Sequence, residues 1–220
     1  MIELKGQNMR VGVIGGTGKS GKYLVSHLIQ KGIDLRLVVR NPEGCHIRSP
    51  LAQIIQGDAR RFESIRSLVD GCEAIISTLG QPKGEPTIFS QSARNVIRAM
   101  TESGIRRYIV TTGLNVDVSS DNKSQKTRFA TDWMKQNYPE TTFDKQAEYD
   151  TLMQSDINWT LVRLPLIEQT EERRPILVSL EDCPGDTIGA SDLASFLADQ
   201  LADKSYIRKA PFIANVAAGA

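Results

Sequence analysis

Short runs rich in β-branched residues alternate along the chain with stretches whose apolar positions recur every three or four residues. Residues 9–14 (MRVGVI) form the first run, and Leu24 and Leu28 belong to the first helical spacing. Such runs are typical of buried strands, and such spacing is typical of amphipathic helices. The pattern predicts strands over residues 9–14, 35–39, 52–56, 74–79, 108–112 and 159–164, and a late strand near 211–216. It predicts helices over 19–31, 62–69, 88–101, 129–136, 143–153 and 193–201, with Ser191-Asp192 as the cap of the last helix, and loops over 116–126 and 168–174.

The regular alternation of strands and helices is the signature of βαβ units, in which helices cover both faces of a parallel sheet. The sequence therefore predicts an α/β fold of the Rossmann type, doubly wound around a mainly parallel sheet. A chain of 220 residues without an internal repeat or a composition shift is expected to form one domain, 1–220. Residues 1–8 are expected to be an N-terminal extension, and the substrate-side loops to lie mainly after residue 165.

The charge balance excludes some classes of partner. The 27 basic and 26 acidic side chains leave a formal charge of +1, whereas non-specific binding of nucleic acid or an anionic membrane needs a basic surplus. The three cysteines are far apart and form no CxxC pair, so we expect neither a disulfide framework nor a metal site. The first ten residues carry charges and resemble no secretory signal, and no apolar run has the length of a membrane span. We therefore expect a cytoplasmic protein with a small-molecule substrate.

A glycine-rich turn, GGTGKSG at residues 15–21, stands between the first predicted strand and the first predicted helix. It fails as a phosphate-binding P-loop, because one register has Val13 in place of the first glycine and the other ends in Tyr23. Gly15, Gly18 and Gly21 keep the three-residue steps of a dinucleotide-binding turn. The free N–H groups of the following helix would then face a pyrophosphate. A tight turn without a ligand is the alternative.

The end of the second predicted strand bears on the choice of cofactor. A site for NAD places an acid about 20 residues after the first glycine, to bond the ribose hydroxyls. Asp34 has that spacing but stands at the start of the strand, and ligands bind at the carboxyl ends of strands. Arg40 stands at the carboxyl end, where it would meet the 2′-phosphate of NADP. The sequence thus favours NADPH over NADH, with a solvated surface arginine as the alternative.

Further segments carry a family resemblance: QGD at 56–58, STLG at 77–80, SARNVIRAM at 92–100 and NWTLVRLP at 158–165. With the glycine turn and Arg40, they make the chain resemble the atypical short-chain dehydrogenases/reductases that have one Rossmann domain. The nearest types are the NmrA-like proteins and the flavin reductase or biliverdin-IXβ reductase type. The resemblance implies the following cofactor contacts: Gly15, Thr17, Gly18, Lys19, Ser20 and Gly21 in the turn, Arg40 at the adenosine phosphate, Asp58 and Ala59 beside the adenine, Thr78, Leu79 and Gly80 at the ribose and pyrophosphate, Thr111, Thr112 and Gly113 beneath the nicotinamide, Lys145 at its ribose, and Pro165, Leu166 and Ile167 near its ring.

The catalytic pair of typical short-chain dehydrogenases, Tyr-x-x-x-Lys, is incomplete in this chain. Thr141 stands four residues before Lys145, and a threonine hydroxyl is a poor general acid. Lys145 and Thr112 remain as candidate catalytic residues. Hydride transfer to a flavin or quinone does not need the missing tyrosine, because the developing anion is delocalised and can take a proton from water. Candidate walls of the acceptor site are Phe89, Leu114, Leu166 and Ile167, with ordinary core packing as the alternative. Glu148 is interpreted as a surface partner of Lys145.

Three functions therefore stay open. The first is an NAD(P)H-dependent reductase of a small planar acceptor such as flavin or quinone. The second is a non-enzymatic regulatory protein that senses NADP and binds partner proteins, as NmrA-like regulators do. The third is an epimerase or dehydratase of nucleotide sugars, which the resemblance disfavours. Those enzymes usually have the Tyr-x-x-x-Lys pair and a larger C-terminal domain than this chain has after Pro165.

Overall fold

A computed structural model describes residues 9–216, so the predicted extension at 1–8 lies outside the described residues. The strands are β1 (Arg10–Ile14), β2 (Asp34–Val39), β3 (Ala52–Gln56), β4 (Ala74–Ser77), β5 (Arg107–Gly113), β6 (Asn158–Leu164), β7 (Leu166–Glu168), β8 (Ile176–Ser179), β9 (Thr187–Gly189) and β10 (Phe212–Asn215). The helices are α1 (Gly21–Gln30), α2 (Phe62–Val69), α3 (Phe89–Glu102), α4 (Gln125–Asn137), α5 (Pro139–Met153) and α6 (Ala190–Asp199), with a short 3-10 turn at Pro42–Gly44.

Eight strands form one sheet in the order β3-β2-β1-β4-β5-β6-β10-β8. All neighbours pair in parallel except β8, which runs antiparallel to β10 at the edge. The strand order reverses between β1 and β4, which creates the crevice where nucleotides bind in open α/β sheets. The predicted doubly wound, mainly parallel Rossmann-type sheet is confirmed.

Helices cover both faces of the sheet and bury two apolar cores. On one face, α2, α3 and α5 pack through residues such as Leu68, Val96 and Leu152. On the other face, α1 and α6 pack through residues such as Leu28 and Leu197. Helix α4 packs on α5 and buries few of its own side chains. Because α4 lies outside both cores, its apolar residues are free to line a surface cleft.

Several predicted boundaries differ from the structure. The cap predicted at Ser191-Asp192 is wrong: α6 begins at Ala190, and Gly189 is its N-cap. The Asp192 carboxylate instead accepts hydrogen bonds from the Asn215 amide at 2.8 Å and from the Arg174 backbone N–H at 3.0 Å. Strands β7, β8 and β9 were not predicted, and β7 takes Glu168 out of the predicted loop. These strands have three or four residues, and pairing with distant segments defines them.

A buried ion pair joins the last strands to the loop after β5. Arg163, on β6, is fully buried, and its guanidinium donates to both carboxylate oxygens of Asp121 at 2.7 and 2.8 Å. It also donates to the carbonyl oxygens of Ala210 and Val116, and it stacks 3.5 Å above the ring centre of Phe212. The pair therefore holds the 116–121 loop and β10 against β6.

We expect Asp121→Asn to lower the free energy of unfolding by about 3–5 kcal/mol, because it leaves the Arg163 charge buried without a counterion. Urea unfolding monitored by circular dichroism measures this. Glu63→Gln is the control, since Glu63 pairs with Arg66 on the exposed face of α2. We expect that control to change the stability by less than about 1 kcal/mol. Equal stabilities of the two variants would contradict the structural role of the pair.

Candidate functional site

The turn between β1 and α1 needs glycine at two of its positions. Gly15 has φ +78°, and an added Cβ would lie 2.7 Å from the Thr78 carbonyl oxygen. A Cβ at Gly21 would overlap the Gly15 carbonyl oxygen, so α1 can begin here only with glycine. The Gly18 N–H donates to that same carbonyl oxygen at 2.9 Å. The turn consequently folds tightly against the end of β4.

The same turn presents unpaired donors. The backbone N–H groups of Thr17, Lys19 and Ser20 have no hydrogen-bond partner among residues 9–216. Ser20 is the N-cap of α1, and its side chain makes no capping bond. Free N–H groups at the start of a helix attract anions, both by hydrogen bonding and through the helix dipole. The donor set fits a phosphate or pyrophosphate.

A cavity of about 230 Å³ opens beside this turn, at the carboxyl ends of β1, β2 and β4. It brings together nine of the predicted cofactor residues: Gly15, Thr17, Gly18, Arg40, Asp58, Ala59, Thr78, Leu79 and Gly80. Lys19, Ser20 and Gly21 lie in the adjoining turn and do not line the cavity. The sequence interpretation missed several further walls, among them Val38, Gln81, Pro82 and Ile88. Val38 and Ile88 also serve the core, so their pattern gave no signal of a second role.

Two arginines and two acids form a charged network at the mouth of the cavity. Arg40 donates to a Glu85 carboxylate oxygen at 2.6 Å, and Arg60 donates to the other oxygen at 2.9 Å. Arg60 also lies 3.5 Å from Asp58. The hydrogen bond from Arg40 holds the pKa of the Glu85 carboxyl below its ordinary value. Of these residues, the sequence interpretation had named only Arg40 and Asp58.

A second cavity, of about 470 Å³ and mainly apolar, lies at the carboxyl ends of β5 and β6. Its walls are Gly113, Leu114, Asn115, Phe129, Ala130, Trp133, Met134, Leu164, Pro165 and Leu166, and we call it the apolar cleft. The predicted walls Leu114 and Leu166 line it, and Pro165 does too. Phe89 and Ile167 do not line it, and for these two residues the alternative of ordinary packing holds. Phe89 is buried in the first core, and Ile167 packs against the second.

Helix α4 supplies the walls of the cleft that sequence reasoning missed. Phe129 and Trp133 are 73% and 47% exposed, and they stand one turn apart. The sequence showed two aromatic residues at helical spacing, but a helix that packs on a core has the same pattern, so their exposure could not be predicted. Asn115 is buried, and its side-chain nitrogen has no hydrogen-bond partner among the described residues. The cleft thus combines aromatic walls with one unsatisfied polar group.

Two of the three predicted residues of β5 lie in the strand interior, whereas Gly113 lines the apolar cleft. Thr111 and Thr112 are buried and line neither cavity. The Thr111 hydroxyl lies 3.4 Å from the Ser77 carbonyl oxygen, whereas the Thr112 hydroxyl has no partner within residues 9–216. Lys145 reaches the end of β5: its Nζ is 3.7 Å from where a Cβ at Gly113 would lie and 4.9 Å from the Phe89 ring centre. The ammonium group therefore lies close to Gly113, one wall of the apolar cleft.

Asp144 anchors the part of α5 that carries Lys145. Its carboxylate accepts from the backbone N–H groups of Phe89 and Ser90, at 2.7 and 3.4 Å, and from the Ser90 hydroxyl. It caps the start of α3, although it belongs to α5. Charge-assisted bonds of this kind anchor a helix end firmly. These hydrogen bonds thus join the segment of α5 that carries Lys145 to the start of α3.

Glu148 is a buried group, and its interpretation as a surface partner of Lys145 is wrong. Its side chain is inside the α3–α5 interface, and one carboxylate oxygen has no partner in the part of the chain that the structure describes. Burial raises the pKa of the Glu148 carboxyl to about 8, and burial lowers the pKa of Lys145. Helical spacing placed the two residues on one face but could not show which way that face points. The protonation state of Glu148 can therefore change near neutral pH.

No helix between residues 9 and 216 combines the length and the apolar character that a membrane span requires. Within the same range, no group of three or more His, Cys, Asp or Glu side chains is arranged to hold a metal ion.

Comparison with known proteins assigns the family. A family model described as NAD(P)H-binding matches residues 15–204, which include the turn, both cavities and all six helices. The chain belongs to this NAD(P)H-binding family. The predicted resemblance to single-domain atypical short-chain dehydrogenases/reductases is confirmed at the level of family and fold.

Individual relatives of this NAD(P)H-binding protein are distant. The photosystem II assembly factor Ycf39 of Trieres chinensis is 25% identical over 191 residues, which are 84% of this chain and 57% of that protein. The chain spans 34–57% of the length of several curated relatives.

Two solved structures share the fold. ChuY, an anaerobillin reductase from Escherichia coli O157:H7, superposes with a TM-score of 0.80 at 16% identity, covering 96% of this chain and 100% of that one. A short-chain dehydrogenase/reductase from Veillonella parvula, solved in complex with NADP, gives a TM-score of 0.74 at 16% identity and 94% coverage of both chains. At these identities the likeness concerns the fold alone.

The glycine turn allows a test that separates a dinucleotide site from a structural turn. A Cβ at Gly18 meets only the Gly15 carbonyl oxygen, at 3.1 Å, so Gly18→Val should fold. Its side chain would occupy the space above the free N–H groups, and we expect the affinity for NADPH to fall at least about tenfold. Calorimetric titration measures the affinity, and circular dichroism checks the fold. Unchanged affinity in a folded variant would make the turn structural.

The buried acid predicts a pH dependence of stability. The pKa of the Glu148 carboxyl is about 4.3 in the unfolded chain and about 8 in the folded protein. Between these two pH values the folded protein keeps a proton on Glu148 that the unfolded chain has lost. Stability from this group is present below the unfolded pKa and is lost as pH rises through the folded pKa.

We therefore expect Glu148→Gln to gain stability relative to the wild type as pH rises from about 5 to 8, by at most about tenfold in the folding equilibrium per pH unit. Urea unfolding at each pH measures the difference. Glu140→Gln, at an exposed position of the same helix, is the control and should follow the wild type at every pH. Parallel curves for Glu148→Gln and the wild type would show that the acid is ionised throughout.

Proposed function

We propose that the protein binds NADPH and reduces a small planar acceptor such as a flavin or a quinone. The observation that carries this proposal is the apolar cleft beside Gly113 and Pro165. The carboxyl ends of β5 and β6 are where the nicotinamide lies if the adenosine half occupies the cavity near Arg40. An acceptor in the cleft would then face the nicotinamide. When bound, NADPH supplies the hydride.

The residues around the first cavity suit the adenosine half of NADPH. The free N–H groups of the glycine turn would bind the pyrophosphate, and Arg40 would meet the 2′-phosphate. Asp58 and Ala59 would flank the adenine, and Thr78, Leu79 and Gly80 would line its ribose. Lys19, Ser20 and Gly21 would contribute backbone to the phosphate site. The NADP complex of the Veillonella structure, which has the same fold, supports this assignment.

In this proposal the side chains of the cleft orient the acceptor by shape, and the acceptor takes its proton from water. Phe129 and Trp133 offer aromatic rings against which a planar molecule could stack, and Leu166 adds apolar surface to the same cleft. The unpartnered Asn115 amide can donate to a carbonyl oxygen, which flavins and quinones both have. Thr141 has no phenol hydroxyl that could donate a proton, unlike the tyrosine of typical short-chain dehydrogenases. Catalysis would therefore consist of holding the acceptor against the nicotinamide and of excluding other orientations of the acceptor.

Lys145 and Thr112 have limited roles in this proposal. Lys145 would hold the nicotinamide ribose from its place beside Gly113 and Phe89. Thr112, buried in β5, would support the strand end beneath the nicotinamide together with Thr111. Burial raises the pKa of the Glu148 carboxyl to about 8, so the charge of the region around Lys145 depends on pH near neutrality.

The names of two relatives bear on the function. Anaerobillin reductase, the activity stated for the structural neighbour ChuY, supports reduction of a conjugated acceptor. The assembly-factor name of the Ycf39 relative supports the second candidate, a regulatory protein that binds NADP and a partner protein. That candidate is favoured by exposed apolar side chains around the cleft, such as Phe129 and Leu166. An inactive protein with tight NADPH binding would select it.

A stopped-flow screen of NADPH oxidation against FMN, FAD and several quinones tests the reductase proposal. We expect turnover with at least one acceptor, and we expect Phe129→Ala to lower kcat/KM for it about tenfold by removing a stacking face. Phe143→Ala is the matched control: Phe143 is 78% exposed on α5, Phe129 is 73% exposed on α4, and only Phe129 lines the cleft. Equal losses in both variants, or no turnover with any acceptor, would contradict the proposal.

A further inference from the structure

We infer that Glu85 occupies the place of the 2′-phosphate in the free protein and is a specificity-determining residue that limits the preference for NADPH over NADH. This inference rests on the proposed function, since it assumes that the adenosine half lies in the cavity beside Arg40. Glu85 belongs neither to the glycine-rich turn nor to a strand end, so the sequence offered no reason to assign it a role.

The geometry of Glu85 is that of an anion shared between two cations. One carboxylate oxygen accepts from Arg40 Nη1 at 2.6 Å, and the other accepts from Arg60 Nη1 at 2.9 Å. Both arginines keep further donors, and Arg60 is steadied by the Pro86 carbonyl oxygen at 2.8 Å. Such a pair of guanidinium groups is the usual recognition set for a phosphate. The site is therefore built for an anion and already holds one.

A 2′-phosphate and the Glu85 carboxylate cannot both take these donors. The phosphate carries about two negative charges near neutral pH, so it would be repelled by a carboxylate held within hydrogen-bond distance of the same guanidinium. NADPH must therefore displace Glu85 from Arg40. The 2′-hydroxyl of NADH carries no charge, and a nearby carboxylate can accept its hydrogen bond, as acids do in NAD sites. Glu85 thus opposes NADPH and tolerates NADH.

The displacement requires only a side-chain movement. Glu85 belongs to the loop after β4, and the Gln81 side chain holds that loop by donating to the carbonyl oxygens of Pro82 and Glu85, at 3.0 and 2.8 Å. Glu85 itself is exposed, and about half of the Arg40 side chain is exposed too. Exposed ion pairs of this kind are weak, so a 2′-phosphate can displace Glu85 from Arg40 at a small cost in free energy. The expected effect on affinity is correspondingly modest.

Calorimetric titration of Glu85→Gln with NADPH, NADH and adenosine 2′,5′-bisphosphate tests the inference. Glutamine keeps the size of the side chain and removes its charge. We expect the variant to bind NADPH and adenosine 2′,5′-bisphosphate about three- to tenfold more tightly than the wild type, and NADH within about twofold. In an Arg40→Ala background the gain should shrink to within about twofold, because the contested donor is gone.

Glu43→Gln is the matched control, since Glu43 is an exposed acid close to the end of β2 that forms no ion pair within residues 9–216. We expect it to leave both affinities within about twofold of the wild type. Weaker NADPH binding by Glu85→Gln would overturn the inference, because Glu85 would then position Arg40 for the phosphate. An equal gain for NADPH and NADH, or the same gain in Glu43→Gln, would overturn it as well. If no variant binds either cofactor, the proposed function itself is wrong.

Discussion

The close approach of α1 to the end of β1 is the constraint on which the rest of the site depends. A side chain at Gly21 would overlap the Gly15 carbonyl oxygen, and one at Gly15 would press into the Thr78 backbone. Glycine at both positions lets the helix begin directly above the strand crevice, so its free N–H groups and the ends of β2 and β4 face one space. The cavity beside the turn follows from this contact, and so does the position that we propose for the nicotinamide relative to the apolar cleft.

The two ends of the site rely on different physical interactions. Near Arg40 the proposed recognition of a phosphate would be ionic and exposed, so we expect it to be weak, sensitive to salt and tunable by a single charge such as that of Glu85. At the cleft it is apolar and relies on aromatic faces supplied by α4. Between them, the buried Glu148 and the half-buried Lys145 are titratable groups on α5, the helix that Asp144 anchors to the start of α3. Such placement shifts pKa values towards neutrality, which is common at functional sites.

Residues with a local signal could be predicted from the sequence, and residues whose role depends on distant contacts could not. The apolar runs predicted seven of the eight strands of the central sheet, and the four-residue edge strand β8 was missed. The residues proposed for the adenosine half were named from the strand–turn–helix context and the family resemblance, and nine of them line one cavity because the parallel sheet brings strand ends together. Phe129 and Trp133 were missed because α4 packs outside the cores, so its apolar face had no predicted partner. Glu85 and Arg60 belong to loops whose contacts depend on folding, and the three-residue strands β7 and β9 are defined only by each other.

The central claim is that the cavity beside the glycine turn is the adenosine half of a nicotinamide-cofactor site. Calorimetric titration of the wild-type protein with NADPH, repeated in the presence of saturating adenosine 2′,5′-bisphosphate, tests it most directly. The account predicts one saturable site per chain that the bisphosphate blocks, since both ligands share the adenosine half. The absence of saturable binding by the folded protein, or binding that the bisphosphate leaves unchanged, would contradict it.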